Sequence, residues 1–435
     1  MQTQLADFIK DTPEGREADR ILRSCVHCGF CLATCPTYQL LGNELDSPRG
    51  RIYLIKQMLE GGAVTGKTLL HLDRCLTCRA CETTCPSGVQ YGKLIDIGRG
   101  IAEKKAGRSL FAQLQRKALR ALLPAPALFG PLLKLGQLFR PWLPAALKEN
   151  VPAPVESGAW PAARHARKML VLDGCVQPLT SPQINRAAAR VLDRLGISLI
   201  VAPEAGCCGA LSYHLNAHDE ALDYMRRNID AWTPYLDQGA EAIVMTASGC
   251  GVTVREYGYY LRHDPAYASN AARVSGMARD VSEVLVAEKE ALQKLLAKAK
   301  AVTPNTKLAV HTPCTLQHGQ KINGVLEAIL TSAGFEIVPA PDRHLCCGAA
   351  GTYSILQPEL SHQLLINKVT ALETNQPERI VTANIGCLLH LQSGAQKPVA
   401  HWIELMDEVL GGSPLPARGT PVGTPPLRGD PSAVS

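Results

Sequence analysis

Two stretches constrain this chain more than anything else in it: "CVHCGFCLATCP" (25–36) and "CLTCRACETTCP" (75–86). Each follows the spacing Cys-x2-Cys-x2-Cys-x3-Cys-Pro, so Cys25, Cys28, Cys31 and Cys35 recur fifty residues later as Cys75, Cys78, Cys81 and Cys85. Thiolates two residues apart on a tight loop reach neighbouring irons of one cubane. The fourth cysteine, set off by a longer gap and followed by proline, begins the next segment. Zinc sites usually present two Cys-x2-Cys pairs instead of triplets with a Cys-Pro, and zinc carries no electrons.

In two-cluster ferredoxins the fourth cysteine of each such run binds the other cluster. On that pattern Cys25, Cys28, Cys31 and Cys85 hold one [4Fe-4S] cluster, and Cys35, Cys75, Cys78 and Cys81 hold a second. His27 lies between two of these ligands and reads as a surface histidine, or one beside the cluster, and not as a ligand. The intervening "SPRGRIYLIKQMLE" predicts a helix from Pro48 to about Glu60 that keeps the two centres within an electron hop. The stretch "GGAVTGKT" (61–68) fits the phosphate-cradling pattern, but that loop needs a buried strand before it, and here a helical segment precedes it.

With 435 residues, 46% of them hydrophobic and 19% charged, the chain suits a globular protein of two or three domains. A net charge of +6 with no dense Lys/Arg stripe does not suggest a nucleic-acid partner. The N-terminus lacks the apolar core of a secretion signal, so the expectation is a cytoplasmic protein. In a reducing compartment its 16 cysteines hold metal before they form disulfides.

From 166 to about 410 short apolar strands alternate with amphipathic helices, and this region is an internal repeat. "KMLVLDGC" aligns with "KLAVHTPC", "PEAGCCGA" with "DRHLCCGA", and "AIVMTASGC" with "RIVTANIGC". The pattern Cys…Cys-Cys-Gly…Cys thus occurs as Cys175, Cys207, Cys208, Cys250 and again as Cys314, Cys346, Cys347, Cys387. Neighbouring thiolates followed by a flexible glycine can face one metal cluster, which makes these eight further cluster or redox candidates beside a role as small buried hydrophobes. In the first copy we expect strands at Met169–Leu172, 197–201 and 242–246. A helix should start near Ser181–Pro182, with Ser as N-cap, and another should run near 217–233. The fold class is α+β/α/β multidomain. A helical two-cluster ferredoxin-like domain (1–100) precedes a basic Leu/Pro-rich segment (101–165). Two small parallel α/β CCG modules (166–300, 301–410) and a disordered Pro-rich tail (411–435) follow.

Two ferredoxin-type motifs followed by two "CCG" modules resemble the iron–sulfur subunits of flavin-linked hydroxyacid and glycerol-3-phosphate dehydrogenases, and heterodisulfide reductase subunits. Within that group the chain most resembles the glycolate oxidase (glycolate dehydrogenase) iron–sulfur subunits. The resemblance rests on "CVHCGFCLATCPTYQLLG", "SPRGRIYLIKQ", "HLDRCLTCR", "EAGCCGA", "TASGCG", "CTLQH", "LCCG" and "VTANIGC". It implies an electron-transfer subunit with no substrate-oxidising site of its own. A partner flavoprotein carrying FAD oxidises glycolate to glyoxylate, and electrons pass through this chain to quinone or another acceptor. A glycerol-3-phosphate, D-lactate or other 2-hydroxyacid dehydrogenase subunit is the alternative, as is a heterodisulfide-reductase-like role. Full CCG modules end in Cys-x2-Cys. Here Ala247 precedes Cys250 and Asn384 precedes Cys387 at the missing position, which puts additional clusters in doubt. His311 and His344 lie near the second set and are candidates to substitute, beside a core or hydrogen-bonding role.

Between Lys104 and Lys148 there are nine Lys/Arg and no Asp or Glu, in a Leu-rich stretch that five prolines interrupt. No apolar run reaches the ~20 residues of a spanning helix. Short amphipathic helices with cationic faces and Trp142 suit a peripheral contact with the cytoplasmic face of the inner membrane, and equally a partner subunit.

Overall fold

The structure, a computed structural model, describes residues 1–144, 151–299 and 306–412. The Pro-rich tail expectation lies almost wholly outside these residues, as does Lys148.

The N-terminal region is helical. Helix α1 (Pro13–Ser24), α2 (Pro36–Leu41), α3 (Pro48–Leu59), α4 (Gly66–Asp73), α5 (Ala80–Thr84) and α6 (Tyr91–Ala106) surround the two cysteine motifs. Their apolar stripes meet in one core in which Ile21, Leu22, Ile55, Leu59, Leu72 and Leu94 are buried beside Cys25, Cys75 and Cys81. Helix α3 matches the expected connection; the Ser47 hydroxyl caps it by accepting from Gly50 N–H at 2.9 Å, with Pro48 in its first turn. The "GGAVTGKT" stretch runs from the end of α3 into α4, whose N-terminus is capped by Thr65 and Thr68. A helix, and not a strand, leads into it.

Each repeat forms a four-stranded parallel sheet. The first comprises β1 (Arg167–Val171), β2 (Ile197–Val201), β3 (Ile243–Met245) and β4 (Ala278–Asp280), in the order β2-β1-β3-β4. The second comprises β5 (Lys307–His311), β6 (Glu336–Val338), β7 (Arg379–Thr382) and β8 (Val399–His401), in the order β6-β5-β7-β8. Helices cover both faces, which is why the strands read as continuous apolar runs and do not alternate. Two details differ from the expectation. Each sheet has a fourth, three-residue strand. The helix after Cys175 is Gln183–Arg194, because Ser181 closes a preceding turn (Gln177–Thr180) through its own N–H and leaves Pro182 at the N-cap.

The two modules share one apolar core, in which Val171, Val244 and Ile184 of the first meet Leu308, Val381 and Trp402 of the second. Arg190 and Arg194 both bind Asp407 across the seam, at 2.7 and 3.0 Å.

Residues Leu110–Leu122 (α7) and Pro126–Phe139 (α8) are helical. Part of the basic charge turns inward, while Lys104, Lys105, Lys117 and Lys134 stay exposed. Arg108 and Arg116 bind Asp73 at 2.6 and 3.3 Å, and Arg120 binds Glu220 at 3.2 Å. Outward-facing side chains include the apolar Leu110 (83% exposed), Phe111 (75%) and Trp142 (74%), beside the exposed Lys117 and Lys134. Among the described residues no single helix is long and apolar enough to cross a membrane. The pair Leu110–Leu122 and Pro126–Trp142 passes by length and composition together, but is bent by 97°.

Candidate metal centres

The two N-terminal motifs fold as matching loops. In the first, His27 and Gly29 have positive φ (55° and 86°); in the second, Thr77 and Arg79 do (53° and 60°). Left-handed residues between successive cysteines wind the loop so that its sulfurs converge, a conformation that costs non-glycine residues energy. Cys35 and Cys85 each fall at a loop end, and Cys35 directly precedes α2.

One cavity is lined by Cys25, Cys28, Cys31, Cys81 and Cys85; a second is lined by Cys35, Cys75, Cys78 and Cys81. Each therefore brings the first three cysteines of one motif together with the last of the other, and the first cavity takes in Cys81 as well. Four converging thiols suit an iron–sulfur cluster, and two features of the cavities suit a bound group. His27 lines the first with its Nε2 buried and without a partner. Burial raises the thiol pKa of Cys25, of Cys31 (to about 11) and, strongly, of Cys78 and Cys81. Such thiols give up their protons to a metal and otherwise keep them.

The second cavity is lined by two arginines, Arg51 and Arg79. Arg51, fully buried, donates from Nε to the His71 carbonyl at 2.7 Å and from Nη1 to Thr37 Oγ1 at 3.2 Å; that hydroxyl lies 3.3 Å from Cys35 Sγ. Burial opposes its charge, but Tyr91, Cys75, Cys35 and Asp46 outweigh burial and keep the guanidinium firmly protonated. Arg99 donates to the Cys75 carbonyl and, at 3.0 Å, to Thr77 Oγ1. The sulfur of Cys75 accepts from Thr77 N–H at 3.4 Å and from Tyr91 Oη at 3.6 Å. Nothing local in the sequence marks Arg51, Tyr91 or Arg99, because each acts from a helix outside the motif it serves.

In the modules the CCG glycines are required by their backbone. Gly209 and Gly348 have φ of 87° and 93°, and a Cβ would meet the Ala221 carbonyl oxygen at 2.8 Å or that of Ser361 at 2.6 Å. In both copies the N–H of that glycine donates to the first cysteine of the pair, Cys207 or Cys346, at 3.5 Å. Cys250 and Cys387 sit in the first turn of the helices Ser248–Arg255 and Ile385–Gln392. Cys175 and Cys208 donate to Cys207, which lowers the Cys207 pKa and raises theirs. Tyr257 Oη donates to the Cys208 carbonyl at 2.9 Å, and Asn228 Nδ2 to that of Cys207 at 2.9 Å. The missing-cysteine position Asn384 is polar, and its Nδ2 donates to Cys387 Sγ at 3.5 Å.

Among the described residues, cysteines of the second module pack against the dicluster region. Cys346 and Tyr353 join Leu76 in a small apolar cluster against which Cys78 and Cys314 also pack. Tyr353 Oη donates to the Arg74 carbonyl at 3.1 Å, and Thr83 Oγ1 lies 3.0 Å from His318 Nδ1. His311 is buried with Cys347 and Cys387, their ligating atoms all within 4.8 Å of one another. His344 is not part of that group; its carbonyl accepts from His318 Nε2 at 2.9 Å.

Residues 21–89 match the 4Fe-4S dicluster domain, and residues 169–255 and 308–392 each match the cysteine-rich domain known as CCG. Fold and sites thus define an iron–sulfur protein made of one dicluster domain and two cysteine-rich domains. Among curated relatives, the glycolate oxidase iron-sulfur subunit of Escherichia coli (strain K12) is 55% identical over 94% of this chain and 99% of its own length. The probable glycolate oxidase iron-sulfur subunit of Bacillus subtilis (strain 168) is 30% identical over 90% of this chain and 94% of its own. Lactate utilization protein A of Bacillus licheniformis is 26% identical over half of this chain. The chain belongs to the family of glycolate oxidase iron–sulfur subunits.

Proposed function

We propose that this chain is the electron-carrying subunit of a flavin-dependent glycolate dehydrogenase complex, drawing electrons from FAD on a partner subunit and delivering them to quinone or another acceptor. The observation that carries the reading is the pair of cavities, each lined by the first three cysteines of one motif and the last of the other, with Cys81 lining both. On this reading Cys25, Cys28, Cys31 and Cys85 hold one [4Fe-4S] cluster, and Cys35, Cys75, Cys78 and Cys81 the other. When bound, such clusters take up the two electrons of a reduced flavin one at a time.

The chain's own residues set the direction. Cys28 is exposed between the exposed side chains of Val26 and Phe30, which makes that rim the docking point for the flavoprotein. Arg51, Arg99 and the hydrogen bonds to Cys75 favour negative charge in the second cavity and so raise its potential above that of the first. Cys78 then leads toward Cys314 and Cys346, so the second module lies on the exit side. The units we assign are 1–100, 101–165, 166–300 and 301–410. The apolar face of the bent pair Leu110–Leu122 and Pro126–Trp142 is the contact that holds the complex peripherally at the cytoplasmic face of the inner membrane.

The test is anaerobic mixing with the copurified flavoprotein. Glycolate should bleach the visible cluster absorbance only when both components are present. Reduction by D-lactate or glycerol 3-phosphate, with none by glycolate, would contradict the assignment.

A further inference from the structure

The duplicated modules keep their cysteines but differ at one ligating position. Three residues before Cys314 stands His311, at the end of β5; three residues before Cys175 stands Leu172. The fold therefore accepts leucine there and does not need an imidazole for packing. In the second module that imidazole is buried, and a ring nitrogen and the sulfurs of Cys347 and Cys387 lie within 4.8 Å of one another. Ligands around a single tetrahedral ion approach one another at about 3.5–4 Å, given metal–sulfur and metal–nitrogen bonds of about 2.3 and 2.0 Å. The Nδ1 of His311 is engaged by Thr382 Oγ1 at 2.9 Å, the kind of outer hydrogen bond that fixes the plane of a ligating histidine.

We propose that the second module binds a divalent transition-metal ion of its own, iron or zinc, through His311 Nε2 and the thiolates of Cys347 and Cys387. One imidazole with soft thiolates selects these ions over magnesium or calcium. Binding displaces the thiol protons of Cys347 and Cys387 to solvent. Cys346 and Cys314, whose sulfurs are 3.9 Å apart, continue the row of sulfur atoms from this site toward Cys78. The first module, with Leu172, lacks the third ligand. The inference concerns metal occupancy alone and does not rest on which hydroxyacid the complex oxidises.

The full chain, purified anaerobically, is analysed for iron, zinc and acid-labile sulfide. Cubane clusters contribute iron and sulfide in equal number, so the proposal expects about one metal ion per chain beyond the sulfide count. His311→Leu, which installs the first module's residue, and the near-isosteric His311→Gln should both lose that ion. Sulfide content and the electron paramagnetic resonance of the reduced N-terminal clusters should stay unchanged. Metal equal to sulfide in the wild type, or an excess that survives both substitutions, overturns the proposal. The wild-type count stands even if a variant folds poorly.

Discussion

Arg79 and Glu256 join the second cysteine motif to the first module with two hydrogen bonds, Nη1 to Oε1 at 2.6 Å and Nη2 to Oε2 at 2.8 Å. Arg79 lies between Cys78 and Cys81, so this fork holds the cluster loop itself. Tyr353 anchors the same loop to the second module from the other side. The dicluster region is thus seated on both modules and is not merely tethered to them by residues 101–165.

Replacing Glu256 by Gln removes the charge that faces a largely buried guanidinium. Breaking such a partly buried pair costs about 2 kcal/mol, at the low end for buried pairs because both side chains keep some exposure. Thermal unfolding should shift to lower temperature, and residues 101–165 should be cleaved faster in limited proteolysis. A variant as stable and as protease-resistant as the wild type would show that the fork does not hold the domains together.

Arg51 should set the potential of the second site. A buried unit charge beside a cluster is worth a few kcal/mol at an effective dielectric of about 20, on the order of 100 mV for one electron. In Arg51→Gln, redox titration followed by electron paramagnetic resonance should show one signal shifted down by that order and the other unmoved. Arg51→Lys should shift it less, and equal shifts of both signals would contradict the assignment.

Much of this architecture was legible because its signals are local. The cysteine spacings, the double-cysteine repeats and the apolar strand at Ile197–Val201 are all readable within a dozen residues. The fourth strands were not, since "ARD" and "VAH" have no apolar run and are strands only through pairing with β3 and β7. Arg51 and the Arg79–Glu256 fork depend on partners that only the fold brings together. The inward pairing of Arg108, Arg116 and Arg120 in the basic middle block was hidden for the same reason, because Asp73 and Glu220 lie outside it in sequence.

That inward pairing bears on membrane contact. With Arg108, Arg116 and Arg120 paired inward, attachment should depend on apolar area more than on charge. The triple variant Leu110→Ser/Phe111→Ser/Leu114→Ser changes only exposed side chains and should alter stability by less than about 0.5 kcal/mol. It should lose cosedimentation with anionic vesicles, and wild-type binding should weaken only modestly at high salt. Unchanged vesicle binding by the triple variant would remove this face from the account.

Asp280 offers a pH test of the first module. Burial pushes its carboxyl up to about 6, against hydrogen bonds from Ser282, and its Oδ2 has no partner. Because the folded pKa lies above the unfolded one, protonation favours the fold at low pH, and that benefit is lost as pH rises through about 6. Asp280→Asn keeps a good helix cap without the buried charge. It should raise the unfolding temperature at pH 7.5, by an amount on the order of 2 kcal/mol, and the gain should shrink at pH 5.5. A gain that is the same at both pH values would rule out the buried charge as its cause.

The central claim is the crosswise sharing of cysteines between two clusters. It is tested most directly by comparing single Cys→Ser variants by electron paramagnetic resonance of the reduced chain. Cys35→Ser should alter the same signal as Cys78→Ser, and Cys85→Ser the same signal as Cys28→Ser. If Cys35→Ser instead alters the signal that Cys28→Ser does, each motif holds its own cluster and the crosswise account is wrong.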